Sequence, residues 1–286
     1  MLVTMKEMLI EARKRGYAVG AFEFWSYDSA KAIVETADRL GMPVILQVGH
    51  FEGDYMDGYV NARRIADMMA ELYPNVPIAL HLDHAETYEE VKKALDANFT
   101  SVMIDASAKP FEENIALTRS VVEMAAKYGA STEAELGTLS GNEGLIEGMD
   151  LQTNPEQARE FVKRTGVDCL AVAIGTAHGF YTETPKINIE RLKEIAKIVD
   201  IPLVLHGGSG TPEDKVQEAV RNGIAKVNIC TELIAAFGKR MSAAQTEDGF
   251  KYNVWALFRE GMMAGEALVE KKMRLFNPDN VVYREK

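Results

Sequence analysis

Across 286 residues the chain carries 32 Lys and Arg against 43 Asp and Glu, a formal net charge of −11. The basic residues are scattered among more numerous acids, which excludes the positive footprint that a nucleic-acid partner requires. A composition 47% hydrophobic and 26% charged excludes disorder, and no apolar run approaches the roughly 20 residues of a membrane span.

The first segment, MLVTMKEMLIEARKRG, mixes charges into an apolar helical pattern without a sustained apolar core or a small-residue cleavage site. It therefore reads as no signal peptide, and the expected location is cytoplasmic. From residue 17 onward, runs rich in Val, Ile, Leu and Ala alternate with segments of 3.6-residue periodicity. In chain order the strand-length runs are 17–24, 43–49, 77–83, 101–107, 130–137, 169–175, 202–208 and 224–230. Between them the amphipathic segments are 28–40, 62–72, 87–97, 112–128, 155–165, 189–199 and 212–222. Near-continuous apolar strands alternating with helices predict a parallel sheet, and eight such units predict an α/β fold, a single (β/α)8 TIM barrel over residues 1–286. An open doubly wound sheet is the weaker reading. No GxGxxG or GxxxxGK(S/T) follows the first strand, and no linker or composition break interrupts the units. Residues 232–276 exceed what closing a barrel requires and predict extra C-terminal helices, either packed over the barrel or forming a subunit interface. Cys169 and Cys230 lie in apolar runs with no CxxC and no His at finger spacing, so both are expected to be buried and inert.

A barrel of this kind builds its active site at the C-terminal ends of its strands. Here those ends are polar: Glu23, Asp83-His84, Asp105, Glu133 and Glu135, His178, His206 and Asn228. Three of the five histidines converge on one rim. A lone strand-end histidine is more often structural, but a His₃ set with an open fourth position is the catalytic-zinc pattern. His81, two residues before Asp83 on the same strand face, is expected to play a supporting or core role. His50 either lines the pocket or is solvated. The run from Leu205 to Thr211, Leu-His-Gly-Gly-Ser-Gly-Thr, sets three glycines and a hydroxyl between a strand and a helix. Alone it is a weak phosphate signal, strengthened by its adjacency to His206 and by a second such place at Asn228-Ile229-Cys230-Thr231.

With His81-Leu82-Asp83-His84, Glu133-Ala134-Glu135-Leu136-Gly137, Gly175-Thr176-Ala177-His178-Gly179, His206-Gly207-Gly208-Ser209-Gly210 and Lys226-Val227-Asn228-Ile229 in this order, the chain resembles the zinc-dependent class II ketose-bisphosphate aldolases. The likeness covers most of the chain and points to the branch of tagatose-bisphosphate and shorter fructose-bisphosphate aldolases. It implies Zn2+ held by His84, His178 and His206, binding a dihydroxyacetone-phosphate unit and stabilising the enediolate left when the carbon–carbon bond breaks. It implies that Asp83 exchanges a proton with the hydroxyl that becomes the aldehyde. Glu143, in the stretch 138–150, would move the proton on the enediolate carbon. Glu135 and Asp105 match positions that support the zinc or hold a second mono- or divalent cation in some members. Gly179, Gly207, Gly208, Ser209, Asn228, Ile229, Cys230 and Thr231 match contacts to the dihydroxyacetone-phosphate half. The resemblance further implies a homodimer or homotetramer acting on a small sugar phosphate.

Departures from the family pattern concern substrate. The Asn that often follows Ala-Phe on strand 1 is Glu23 here, and a Ser that some members use on the aldehyde's phosphate is Gly49. The family's Gly-Gly-x-Glu-Asp loop reads Ser140-Gly141-Asn142-Glu143-Gly144. A carboxylate replacing an amide, with a phosphate-binding hydroxyl lost, disfavours an anionic aldehyde half. The expected reaction is reversible aldol cleavage of a fructose- or tagatose-bisphosphate-like ketose phosphate, its aldehyde half unphosphorylated or otherwise non-standard. Glu23 pointing aside, or Arg residues from a neighbouring subunit, would leave a bisphosphate substrate in place. Three rivals stand beside this reading: a Schiff-base aldolase on Lys226, which shares a face with Asn228; a zinc hydrolase on the same fold; and a non-catalytic barrel subunit of a sugar-aldolase complex.

Overall fold

The computed structural model describes residues 2–137, 152–177, 179, 184–248, 253–281 and 283. From the N-terminus the elements are α1 (Met5–Arg15), β1 (Val19–Glu23), α2 (Tyr27–Leu40), β2 (Val44–Val48), α3 (His50–Tyr55), α4 (Tyr59–Leu72), β3 (Ile78–Ala85) and α5 (Tyr88–Asp96). They continue as β4 (Ser101–Ile104), α6 (Phe111–Tyr128), β5 (Ser131–Leu136), α7 (Pro155–Thr165), β6 (Cys169–Val172), α8 (Ile189–Ile198), β7 (Leu203–Leu205), α9 (Glu213–Arg221), β8 (Ile224–Ile229), α10 (Thr231–Asp248) and α11 (Val254–Leu275). Each strand pairs in parallel with its sequence neighbour and β1 pairs with β8, so the sheet closes into the expected barrel.

Helix ends follow local chemistry. Ser26 and Ser29 form a reciprocal capping box at the start of α2, Thr87 accepts the Glu90 amide before α5, and Asn154 precedes Pro155 at the start of α7. Three strands stop three residues before their apolar runs end: β4, β6 and β7 finish at Ile104, Val172 and Leu205. Apolar composition continues past the point where the ladder ends, so Asp105 and His206 stand one residue beyond their strands. The short helix α3 was not expected from the polar stretch after β2, and it begins at His50, an exposed residue. Cys169 is buried as expected, but Cys230 is only half-buried because it occupies the turn from β8 into α10.

Alternation along the strands sorts side chains into two cores. Outward residues such as Phe22, Leu46, Leu80, Val102 and Leu170 pack under the helices. Inward Val19, Ala21, Ile45, Ala79, Ala171 and Val204 fill the bottom of the barrel with Met5, Met8 and Leu9 of α1. This helix is pinned as a plug: the Met5 amide donates to Ser131 Oγ at 3.0 Å, and Arg13 donates to the Ala196 and Val199 carbonyls at the end of α8. Above that apolar floor the inward positions turn polar, with Gln47, His81, Ser101, Glu133 and Lys226 all buried. At the C-terminus α11 packs on α10 and α2. A Cβ at Gly265 of α11 would lie 2.1 Å from the Phe237 ring of α10, so only glycine admits that contact. Among the described residues no helix is long and apolar enough to cross a membrane.

Candidate active site

Strict alternation would send Asp83 and His84 to opposite faces of β3. A register shift between Leu82 and Ala85 and a φ of 48° at His84 prevent this. That left-handed conformation costs a non-glycine residue on the order of 1–3 kcal/mol, and with it both side chains serve the barrel mouth. His84 Nδ1 pairs with Asp105 Oδ2 at 2.8 Å, and the His84 ring meets that of His206 edge to face with centroids 4.6 Å apart. Ligand atoms of Asp83, His84 and His206 lie within 4.8 Å of one another, as do those of His84, Asp105 and Glu135. Two imidazoles among carboxylates are the donor set of a first-row metal, so these residues can hold one.

Beneath this set lies a buried charge network. His206 donates from Nε2 to Glu133 Oε1 at 2.7 Å, and its Nδ1 lies 3.2 Å from Glu135 Oε2. Burial opposes charge on His206, but the two carboxylates override it and raise its pKa to about 10. Lys226, fully buried, lies 2.9 Å from Glu133 Oε2. Burial again opposes both charges, yet each partner sustains the other, with Lys226 pushed up and Glu133 pushed down. His81 pairs through Nδ1 with Ser101 Oγ at 2.9 Å, and its Nε2 lies between Glu133 and Asp83 at 3.6 and 3.7 Å. Burial, reinforced by Lys226, lowers the pKa of His81 and keeps its ring neutral.

Asp83 is held from three sides. Asn228 Nδ2 donates to both of its oxygens at 3.1 and 3.3 Å, and Gln47 Nε2 donates to Oδ2 at 3.3 Å. Burial disfavours its charge, but His84, His81 and Lys226 keep it well below the ordinary carboxylate range. The same Gln47 amide donates to Glu23 Oε2 at 2.9 Å, and the Gly49 amide donates to Glu23 Oε1 at 2.6 Å. Glu23 therefore points into the mouth rather than aside. Burial, then the charges of Asp83 and Glu52, raise its pKa well above the usual carboxylate value.

Further round the rim the loops after β7 and β8 are tied together. The Gly210 amide donates to Glu232 Oε1 at 2.9 Å, and the Glu232 amide donates to Ser209 Oγ at 3.3 Å. A Cβ at Gly207 would stand 2.4 Å from the Ala177 carbonyl oxygen, and one at Gly208 2.6 Å from Val227. The glycines are thus required by close backbone packing of neighbouring loops, whatever they bind. Ile229 closes β8, and Cys230 and Thr231 carry the chain into α10. Gly179 adopts a φ of 87°. His178 and Glu143 lie outside the described residues.

The structure thus brings together Glu23, Gly49, Asp83, His84, Asp105, Glu135, His206 and Asn228. Reading the sequence alone overlooked Gln47, which bridges Glu23 and Asp83, and the pairing of Glu133 with Lys226. The available signal was polarity at inward strand positions, which period-2 alternation would have flagged.

Residues 3–281 match the family model for class II fructose-bisphosphate aldolase. The chain is 42% identical over 277 residues to a fructose-bisphosphate aldolase of Geobacillus stearothermophilus, covering 96% of each protein. It is 40% identical over 282 residues to a fructose-bisphosphate aldolase of Staphylococcus aureus strain Mu50, covering 98% of each. Among solved structures it superposes on the YdjI aldolase of Escherichia coli K12 with a TM-score of 0.86 at 34% identity, covering 98% of both chains. A closed parallel barrel, a cluster of histidines and carboxylates at its mouth, and likeness over nearly the whole length lead to one conclusion: the chain belongs to the class II fructose-bisphosphate aldolase family and is a carbon–carbon lyase.

Proposed function

We propose that this aldolase cleaves a ketose 1-phosphate to dihydroxyacetone phosphate and an aldehyde that carries no second phosphate, and that it uses zinc. The observation that carries the reading is the convergence of Asp83, His84, Asp105, Glu135 and His206 within one barrel mouth. His84 and His206, with His178 as the third ligand implied by the family likeness, would hold the metal; Asp105 and Glu135 support it or hold a second cation. When bound, zinc supplies a Lewis acid for the negative charge that develops on the substrate's oxygens.

Asp83 is the base. Its carboxylate takes the proton from the hydroxyl on C4, the C3–C4 bond breaks, and C4 and its oxygen become the aldehyde carbonyl. The electron pair of the broken bond stays with the three-carbon phosphate fragment, whose carbon then takes a proton, a role the family likeness gives to Glu143. Asn228 and Gln47 orient Asp83 and sustain its charge. Gly179, Gly207, Gly208, Ser209 and the turn Asn228-Ile229-Cys230-Thr231 receive the phosphate half through backbone amides and the start of α10. The Lys226 ammonium is committed to Glu133, which speaks against a Schiff base. The protein acts as a homo-oligomer in the cytoplasm, and exposed Trp255 and Phe258 on α11 support a second copy as neighbour.

The test is a coupled assay of dihydroxyacetone phosphate release from ketose 1-phosphates and 1,6-bisphosphates, with and without chelator and added zinc. Zinc-restored release and no borohydride trapping are expected. Chelator-insensitive turnover would overturn the metal assignment, and a preference for the 1,6-bisphosphate would overturn the substrate assignment.

A further inference from the structure

The rim between β1, β2 and α10 carries a feature that the cleavage chemistry does not use. A cleft of about 320 Å³ is lined by Trp25, Phe51, Glu52, Tyr55 and Ile234. Phe51 is 83% and Tyr55 72% exposed, unusual for large aromatic side chains one short helix from a reacting centre. Exposed apolar surface of this kind marks a place where something binds. Trp25, by contrast, is held. Its backbone amide donates to Ser29 Oγ at 3.0 Å, and its ring rests edge-on against Phe237 at 5.1 Å, which in turn fills the notch at Gly261 and Gly265 of α11. The C-terminal helices thus brace one aromatic wall.

The cleft adjoins the site through Glu52. Glu52 lines it and also stands 3.0 Å from where a Cβ on Gly49 would lie, while Glu23 Oε1 is 3.5 Å from the same point. Through Gln47 that carboxyl leads directly to Asp83. Among the described residues no Lys or Arg lines the cleft, and the charged group that does is the Glu52 carboxylate, so a phosphate at this end meets repulsion from it. Aromatic faces with acceptors at the edge suit a polyol, its C–H faces against the rings and its hydroxyls donating to Glu52 and Glu23.

Resting on the reading that the site cleaves a ketose 1-phosphate, we infer that the Trp25–Phe51–Tyr55 cleft is a subsite for the uncharged, hydroxylated far end of the aldehyde half, so that ketose 1-phosphates longer than six carbons are the better substrates. The test measures kcat/KM by dihydroxyacetone phosphate release for hexulose, heptulose and octulose 1-phosphates and a hexulose 1,6-bisphosphate, in the full-length zinc-loaded protein and in a Phe51→Ala, Tyr55→Ala double variant. Expected is a rise with chain length of roughly tenfold in total, which the double variant abolishes. A Gly265→Ala variant, which displaces Phe237 and so Trp25, should shrink the same rise. No dependence on chain length, or an equal rise in the double variant, overturns the subsite alone. A change in oligomer mass of the double variant with substrate ranking unchanged also overturns it, since the aromatics then cover a second copy. Release from no substrate overturns the subsite together with the cleavage reading beneath it.

Discussion

Two halves of the barrel mouth are built on opposite principles. Around β3, β4, β5, β7 and β8, charged groups answer one another: His84 pairs with Asp105, His206 with Glu133 and Glu135, and Lys226 with Glu133. At β1 and β2, among the described residues, carboxylates gather: Glu23 accepts from an amide side chain and a backbone amide, with Glu52 and Asp83 as further negative neighbours. The first arrangement fixes donor atoms in place for a metal and a base. The second leaves a carboxyl poised toward whatever enters, which is how a site selects among substrates rather than how it performs the bond-breaking step.

That contrast can be broken by experiment. The largest effect is expected at the paired side: His84→Ala or His206→Ala, or removal of metal by chelation, should lower kcat/KM by at least about a thousandfold. The check is bound zinc per chain alongside turnover. Zinc content in both variants equal to that of the unaltered protein would show that these histidines do not hold the metal. Next, Asp83→Asn should retain zinc while kcat falls about 10²–10⁴-fold, the range of a lost general base. Removing the deeper partner has a different signature. Lys226→Met leaves Glu133 buried without its ammonium partner, a loss of about 3–5 kcal/mol in urea unfolding, and adding Glu133→Gln should recover much of it. Glu133→Gln by itself should weaken zinc affinity about 10–100-fold, because an outer partner that orients a ligand is gone.

The smallest effect belongs to the other half. Glu23→Gln should leave zinc content unchanged and narrow the preference for ketose 1-phosphate over 1,6-bisphosphate by several-fold. A pH profile sharpens this. The Glu23 pKa is raised, so the carboxyl becomes neutral as pH falls, and repulsion of a second phosphate should fade in that direction. Part of the fading comes from protonation of the phosphate itself; only the part lost in Glu23→Gln belongs to Glu23.

Sequence and structure divide the two halves unevenly. The alternation of eight apolar runs with amphipathic segments was enough to specify a closed parallel barrel, and the strand-end residue types were enough to nominate Asp83, His84, Asp105, Glu135 and His206 as neighbours. Periodicity and residue type are local properties, set by backbone geometry and side-chain chemistry over a few positions. What only the tertiary structure decided depends on register between elements distant in the chain. The left-handed turn at His84 that lets two adjacent residues serve one site arises from how β3 pairs with β4. The Lys226–Glu133 pair exists because closure sets β5 and β8 face to face, the bond from Gly49 to Glu23 because β1 pairs with β2, and the bracing of Trp25 by Phe237 and Gly265 because α10 and α11 pack together. No local pattern encodes which inward residues meet across a closed sheet, since that is determined by stagger and packing of the whole barrel.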